Sequence, residues 1–175
     1  MPIPPIDPRT GLLPAAAGAY SATLQEIEQQ FVVHAPNALQ RADIFAALCL
    51  WVTRVRATFG TGRVWIDGGF VTHKAPPPHD VDVVFIPDDP GRVNDELLMA
   101  EGYDLLTLQQ LFFLHPAPGG TLERLQPVGG LVDAFIADPR RPDVLQSWAT
   151  LWSAVKLDDG SISQNQTKGY LEVIL

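Results

Sequence analysis

The sequence predicts a small α/β (α+β) domain in which a mixed β-sheet is flanked by helices. Segments with a helical spacing of apolar residues alternate along the chain with short apolar strands, as in mixed α and β proteins. The chain has 175 residues and is 46% hydrophobic, which is enough to bury a substantial core. We expect an extended, proline-rich arm over residues 1–20, followed by a single domain over residues 21–175.

Capping signals and apolar spacing indicate the helices. Thr23 and Glu26 form a capping-box pattern at the start of a short helix that reaches residue 33. Asn37 is placed to cap a longer helix over residues 38–59. Later helices are expected over residues 95–100, 105–114 and 142–155. The stretch 105–114 is apolar on nearly every side, so it should be deeply buried or belong to a partner interface.

Short apolar runs bounded by glycine, proline or aspartate indicate the strands. They cover residues 63–67, 80–87, 131–136 and 168–175. The polar segment 158–167 is expected to be mobile. Lys168 and Glu172 fall in the last strand; they could form an active-site wall, but we favour a surface ion pair.

Charge and cysteine content narrow the classes of function. The formal net charge of −8 disfavours broad binding to nucleic-acid phosphates, although a nucleotide or an RNA end held through metal ions is compatible with it. The single cysteine, Cys49, excludes an internal disulfide and a cysteine-rich zinc site. We find no apolar stretch of about 18 residues that would span a bilayer and no secretion signal. We therefore expect a cytoplasmic protein with no membrane partner.

Two aspartates interrupt an apolar strand at alternate positions. Asp80 and Asp82 should project from one face, and Val81 from the opposite, buried face. Carboxylates this close repel each other, and a divalent cation compensates them. Asp133 lies in the middle of another apolar strand, so three acids converge if the two strands are neighbours. Three acids can hold two Mg²⁺ or Mn²⁺ ions, an arrangement that stabilises phosphoryl or nucleotidyl transfer.

A Gly-Gly turn and a proline-rich loop precede this strand. Gly68 and Gly69 leave backbone amides accessible to a phosphate. Lys74 lies in the same loop, where a phosphate contact and a solubilising role are both open. Asp67, directly before the turn, is interpreted as a cap of the turn or of a short following helix.

Each acid also has a competing interpretation. Asp80 and Asp82 could lie at a strand end, in solvent or paired with Arg63 or Lys74. Asp133 could be exposed on an edge strand. The sequence has neither a P-loop nor a Gly-x-Ser-x-Gly motif, so kinase-like, P-loop and serine-hydrolase functions have no support.

Residues 64–86 resemble the nucleotidyltransferase superfamily, whose fold is similar to that of DNA polymerase β. The pattern there is Gly followed by Gly or Ser, a gap of about ten residues, and an Asp-hydrophobic-Asp or Glu pair, with a third acid on a later strand. In this chain it reads Gly68-Gly69, a gap of ten residues, Asp80-Val81-Asp82, and Asp133 as the third acid. The string DGGFVTHKAPPPHDVDVV is also similar to small bacterial and phage nucleotidyltransferase-like proteins.

The resemblance implies transfer of a nucleoside monophosphate from an NTP, with ATP as the first candidate and pyrophosphate as the second product. It implies that Asp80 and Asp82 hold two Mg²⁺ or Mn²⁺ ions. Asp133 would hold the catalytic ion and help to deprotonate the attacking hydroxyl.

The resemblance also assigns the phosphate contacts. Gly68 and Gly69 would cradle the β- and γ-phosphates. Many members have Ser where this chain has Gly69, so Thr72 is a candidate for the missing hydroxyl, and Lys74 remains a candidate for a phosphate contact.

The acceptor implied by the resemblance is a hydroxyl of a protein, of an RNA end such as that of a tRNA, or of a small molecule. Small proteins of this kind resemble members of toxin–antitoxin or phage-defence pairs, so a homodimer or a toxin–antitoxin complex is a candidate assembly. The main alternative is a catalytically inactive binding module of the same fold, an antitoxin or regulatory subunit. Gly69 and the apolar stretch 105–114 favour this alternative, whereas the three intact acids count against it. A third hypothesis is a metal-dependent hydrolase or nuclease with an unrelated acid cluster.

Overall fold

A computed structural model describes residues 3–109, 124–157 and 159–175 and has a mixed α+β fold, as predicted. The helices are α1 Leu24–Glu28, α2 Ala38–Phe59, α3 Pro90–Leu98, α4 Pro127–Gly130 and α5 Pro142–Ser153. The strands are β1 Tyr20–Ser21, β2 Gly62–Asp67, β3 Val81–Pro87, β4 Leu108–Gln109, β5 Arg124–Leu125, β6 Val132–Ile136, β7 Ala154–Lys156, β8 Ile162–Thr167 and β9 Leu171–Ile174.

A five-stranded sheet in the order β1-β9-β2-β3-β6 forms the centre of the fold. Strand β2 runs antiparallel to both of its neighbours, whereas the pairs β1/β9 and β3/β6 are parallel. Helices α1 and α2 cover one face of this sheet, and α5 covers the other. The predicted mixed sheet flanked by helices is therefore confirmed.

The two faces of the sheet follow from the alternation of side chains along each strand. Ile66 and Val83 pack with α1 and α2 in the main core. Trp65 and Val84 pack with Trp152 of α5 in a second, smaller core.

The two N-terminal helices agree closely with the sequence prediction. Thr23 and Glu26 form both hydrogen bonds of a capping box, and a π-helical turn, Gln29–Val33, follows α1. Helix α2 has the predicted bounds, but Asn37 does not cap it with its side chain. The Asn37 backbone is left-handed, and its Nδ2 donates to the Ala75 carbonyl at 3.1 Å.

The predicted helix over residues 105–114 is wrong in the part that the structure describes. A 3₁₀ turn, Tyr103–Leu105, leads into β4, which pairs with β5. The Thr107 amide donates to the Ala134 carbonyl of β6 at 2.9 Å, which holds the chain extended beside the sheet. Residues 110–114 lie outside the described residues.

Other predicted boundaries shift for local reasons. Helix α3 begins at Pro90, because the Asp89 side chain accepts hydrogen bonds from the first-turn amides of Gly91 and Arg92. Residues 162–167, within the segment that we expected to be mobile, form β8 and pair with β7. Residue 158 lies outside the described residues.

The N-terminal segment packs closely against the rest of the chain. Leu13 is completely buried, and Leu12 forms a β-bridge with Thr72. The Gly169 amide donates to the Leu13 carbonyl at 2.9 Å. In the described residues, no helix combines the length and the apolar character that crossing a membrane requires.

Candidate active site

Three aspartates lie side by side at one end of the central strands. Asp82 of β3 is paired in register with Asp67 of β2 on one side and with Asp133 of β6 on the other. Directly opposed residues share a face, and neighbouring strands are about 4.8 Å apart. Asp80 precedes β3 by one residue. We call Asp67, Asp80, Asp82 and Asp133 the carboxylate row.

The carboxylate row lies on the face of the sheet that α5 covers. Asp82 alternates with the buried Val83 and shares its side of β3 with Val84, which belongs to the smaller core. Val81 and Val83 belong to the main core, as the sequence predicted for the opposite face.

Asp133 is almost completely buried and has two side-chain partners. The Thr107 hydroxyl donates to its Oδ1 at 2.7 Å, and the same hydroxyl accepts from the Ala134 amide at 2.8 Å. The Arg124 guanidinium forms an ion pair with the other carboxylate oxygen. Asp133 is thus held in a fixed orientation and is not exposed on the sheet edge.

Asp80 and Asp67 each have one polar side-chain partner. The Gln126 amide donates to Asp80 Oδ2 at 2.7 Å. Lys168 forms a buried ion pair with Asp67, and its Nζ also donates to the Trp152 carbonyl at 3.0 Å. Burial raises the pKa of Asp67 to about 6, although the charge of Lys168 acts in the opposite direction.

Asp82 differs from the other three acids. Within the part of the chain that the structure describes, its carboxylate has no hydrogen-bond donor, although Lys168 and Arg124 lie near enough to attract it. Burial raises the pKa of Asp82 to about 6, and repulsion from Asp80 and Asp67 adds to this effect. The centre of the row therefore has an excess of negative charge, which a cation would compensate.

Gly68 is required by the position of Asp82. Its φ is +84°, and a β-carbon at this position would overlap Asp82 Oδ2. Only glycine both adopts this backbone conformation at low cost and leaves the carboxylate in place. The conformation of the turn and the position of the Asp82 carboxylate therefore depend on each other.

Gly69, in contrast, has space for a side chain. The nearest atom to a β-carbon built here is Pro78 Cβ at 3.6 Å, an ordinary van der Waals contact. The first atom of a side chain, such as the β-carbon of a serine, would therefore fit at this position without a backbone shift.

Thr72 and Lys74, the other predicted phosphate contacts, each donate a hydrogen bond to a backbone carbonyl. The Thr72 hydroxyl is buried and donates to the Gly69 carbonyl at 2.8 Å, so it stabilises the turn. Lys74 Nζ donates to the Lys156 carbonyl of β7 at 2.9 Å. Among the described contacts Lys74 is not a partner of any carboxylate in the row, and its contact with phosphate stays a prediction.

The sequence interpretation missed several residues of this site. Asp67, which the sequence interpretation treats only as a cap, is the last residue of apolar β2, and Asp80 directly precedes apolar β3. Lys168 was assigned to a surface pair with Glu172 and is instead buried against Asp67. Glu172 pairs with Arg63, so that arginine does not neutralise Asp80 or Asp82.

The donor chemistry of the row suits a hard divalent cation. Carboxylate oxygens without nitrogen or sulfur ligands favour Mg²⁺ or Mn²⁺. In residues 3–109, 124–157 and 159–175, no three acidic, histidine or cysteine side chains are already arranged as a metal-ligand group. The Arg124 guanidinium now neutralises Asp133 and the Gln126 amide donates a hydrogen bond to Asp80, and a metal ion would replace both partners. Asp82, which lacks a donor, is the acid most ready to accept one.

The chain belongs to DUF6932, a family of unknown function, and it matches this family over residues 4–174. Neither a curated protein nor a solved structure matches it.

Proposed function

We propose that the chain is a Mg²⁺- or Mn²⁺-dependent nucleotidyltransferase with a polymerase β-like palm. It transfers a nucleoside monophosphate from an NTP, with ATP as the first candidate, to a hydroxyl group. The observation that supports this most strongly is the position of Asp82, which lies between Asp67 and Asp133 and fits directly against Gly68. An acid row beside a glycine turn provides a place for metal ions next to a place for phosphates.

The acids have separate roles in this reaction. Asp80 and Asp82 would hold two divalent ions, and Asp133 would help to hold one of them. When bound, these ions neutralise the charge that develops on the triphosphate. Asp133 helps to remove the proton from the attacking hydroxyl, whose oxygen then forms a bond to the α-phosphorus. The bond from that phosphorus to the bridging oxygen breaks, and pyrophosphate leaves.

The backbone of the turn binds the leaving group. Gly68 and Gly69 allow close approach of the β- and γ-phosphates to backbone amides. The acceptor is a hydroxyl of a protein, a tRNA or other RNA end, or a small molecule. The net charge of −8 favours an acceptor less acidic than RNA, such as a protein partner in a toxin–antitoxin or phage-defence pair.

Transfer of label from each [α-³²P]NTP tests this function. Wild-type protein with Mg²⁺ should release pyrophosphate and label either itself, a purified acceptor or a component of a cell extract. The variant Asp80→Asn/Asp82→Asn should lose this activity by at least 100-fold. Asp88→Asn is a matched control, because this exposed acid lies just beyond the opposite end of β3. Equal labelling by all three proteins would exclude the acids from catalysis.

One observation favours the alternative of a catalytically inactive binding module. Without a metal ion, Asp133 is already neutralised by Arg124, and Asp80 already accepts a hydrogen bond from Gln126. A module of this kind, an antitoxin or regulatory subunit, would bind its partner equally well after Asp82→Asn. It would also show no Mg²⁺-dependent thermal shift with any NTP.

A further inference from the structure

Arg41 is a completely buried arginine in the first turn of α2. Its guanidinium donates only to backbone carbonyls in the described structure, and desolvation lowers its pKa with no acid acting in the other direction. The acceptors are the carbonyls of Pro36 at 2.7 Å, Phe31 at 3.2 Å, Phe70 at 2.7 Å and Thr72 at 2.7 Å. Two of the four belong to the turn that follows Gly68.

Burial of the charged Arg41 guanidinium at this position costs free energy. A buried guanidinium without an acid partner loses its hydration, and the positive end of the α2 dipole repels it further. It also lies 5.8 Å from the centre of the Phe70 ring, which offsets part of this cost. An apolar side chain of similar volume would fill the core more cheaply. The role of this arginine therefore lies in the groups that its guanidinium holds in place.

The carbonyls of the Gly68–Thr72 segment are almost all directed into the protein. Gly68 accepts from the Val71 amide, and Gly69 accepts from the Thr72 hydroxyl. Phe70 and Thr72 accept from Arg41. In the described chain the amides of Gly69 and Phe70, on the other hand, have no acceptor. A turn with its carbonyls bound and its amides unbonded favours an anion over a cation.

We propose that Arg41 is a positioning residue that fixes the Gly68–Thr72 turn with its Gly69 and Phe70 amides available to the polyphosphate of the nucleotide. Its planar guanidinium bonds two carbonyls of the turn and two of the neighbouring α1–α2 connection, so the turn cannot rotate its peptide planes independently of the core. Arg41 itself does not touch the ligand. Because this role presupposes the proposed nucleotide transfer, binding to the metal and binding to the phosphates must be measured separately.

The variant Arg41→Lys provides the first test. Lysine keeps the charge and the aliphatic stem, but one ammonium group cannot serve four carbonyls in a plane. Arg92→Lys is a matched control, since Arg92 also donates to two carbonyls, those of Ala57 and Thr58, at 3.0 Å each. Arg92 is exposed and lies near Gly60, at the end of α2 that is remote from Arg41.

Three dissociation constants are compared for folded protein, those of Mn²⁺ alone, Mg²⁺-ATP and Mg²⁺-tripolyphosphate. Arg41→Lys should raise the dissociation constants of Mg²⁺-ATP and Mg²⁺-tripolyphosphate at least tenfold. It should leave the dissociation constant of Mn²⁺ within about twofold of the wild-type value. Arg92→Lys should change none of the three. If folded Arg41→Lys protein binds ATP as tightly as wild type, the proposed role of Arg41 is wrong, but the proposed function is unaffected. Wild-type protein that binds no nucleotide would overturn the proposed function as well.

Wild-type protein provides a second test that holds even if Arg41→Lys fails to fold. The Gly69 and Phe70 amides should shift in ¹⁵N–¹H spectra and exchange at least tenfold more slowly when Mg²⁺-ATP is added. The Gly91 amide, which donates to Asp89 Oδ1 at 3.0 Å, is an internal control and should not respond. Unchanged Gly69 and Phe70 amides at saturating ATP would contradict the proposed orientation of the turn.

Discussion

Gly68 and Asp82 fit together so closely that the first atom of any side chain on Gly68 would overlap the Asp82 carboxylate. The two residues are 14 positions apart in the sequence and come from different strand ends, β2 and β3. The turn and the central acid of the carboxylate row therefore constrain each other, and a substitution at either position should alter the structure at both.

Gly68→Ala should disturb the site far more than Gly69→Ala. Alanine at 68 combines a displacement of Asp82 with a backbone conformation that costs a residue other than glycine about 1–3 kcal/mol. We expect a loss of about 1–3 kcal/mol in the free energy of unfolding and at least a tenfold loss in nucleotide affinity. Urea unfolding and ATP titration measure both. Gly69→Ala should behave like wild type, because its β-carbon meets only Pro78 Cβ at 3.6 Å. Equal effects of the two substitutions would contradict the close fit.

The contribution of Asp82 to the stability of the metal-free protein should fall as the pH rises. The pKa of Asp82 is raised from 3.8 to about 6 in the folded state, so the folded protein binds more protons than the unfolded chain between these values. Its stabilising effect is complete below about pH 4 and is lost as the pH rises through about 6. Asp82→Asn should therefore raise the free energy of unfolding at pH 7 by about 1–3 kcal/mol and reduce the pH dependence.

Urea unfolding in EDTA from pH 4 to pH 8 measures this change. The substitution Asp88→Asn, at an exposed position, should leave the pH profile unaltered. An Asp82→Asn protein that is less stable than wild type at pH 7 would show that the carboxylate is not under electrostatic strain.

Removal of Lys168 should destabilise the protein most at high pH. Lys168→Met leaves Asp67 buried without its cation, which costs about 3 kcal/mol when the acid is charged. At pH 5 Asp67 can take up a proton, so the loss should be smaller there than at pH 8. The double variant Asp67→Asn/Lys168→Met should recover part of the stability and remove this difference.

The exposed ion pair of Arg141 and Asp143 is the control for this series. Arg141→Met should leave the free energy of unfolding unchanged at both pH values. A Lys168→Met protein with the same loss at pH 5 and pH 8 would mean that Asp67 is not the group that needs the cation.

Arg124 should compete with metal ions for Asp133. If the guanidinium occupies this carboxylate in the metal-free protein, Arg124→Gln should tighten the binding of Mn²⁺ alone by about 3–10-fold, equivalent to about 1 kcal/mol. Calorimetric titration measures this affinity. Arg140→Gln, which removes an exposed arginine from Asp138, should leave it unchanged. Weaker Mn²⁺ binding by Arg124→Gln would rule out competition.

Local sequence patterns predicted three of the four acids of the carboxylate row, because each pattern extends over only a few residues. Alternation placed Asp80 and Asp82 on one face, and an apolar run placed Asp133 in a strand. The same reasoning gave the capping box and the bounds of α2, which depend on side chains three or four positions apart.

The remaining parts depend on contacts between distant segments, which a single sequence does not reveal. Lys168 reaches Asp67 across 101 positions, and Arg41 reaches the Thr72 carbonyl across 31. An arginine at the start of a helix and a lysine near the chain end both look like surface residues. Likewise, residues 105–109 have helical composition, but hydrogen bonding of Thr107 to β6 makes the chain extended from Leu106 onward.

Titration of Mn²⁺, followed by electron paramagnetic resonance in the presence of a non-hydrolysable ATP analogue, tests most directly whether the carboxylate row holds metal ions beside a triphosphate. Wild-type protein and Asp88→Asn should each bind two ions per chain at saturation beyond those held by free nucleotide. Asp80→Asn/Asp82→Asn should bind none above that background. Equal binding by all three proteins, or none by wild type, would contradict a metal-dependent nucleotide site at these acids.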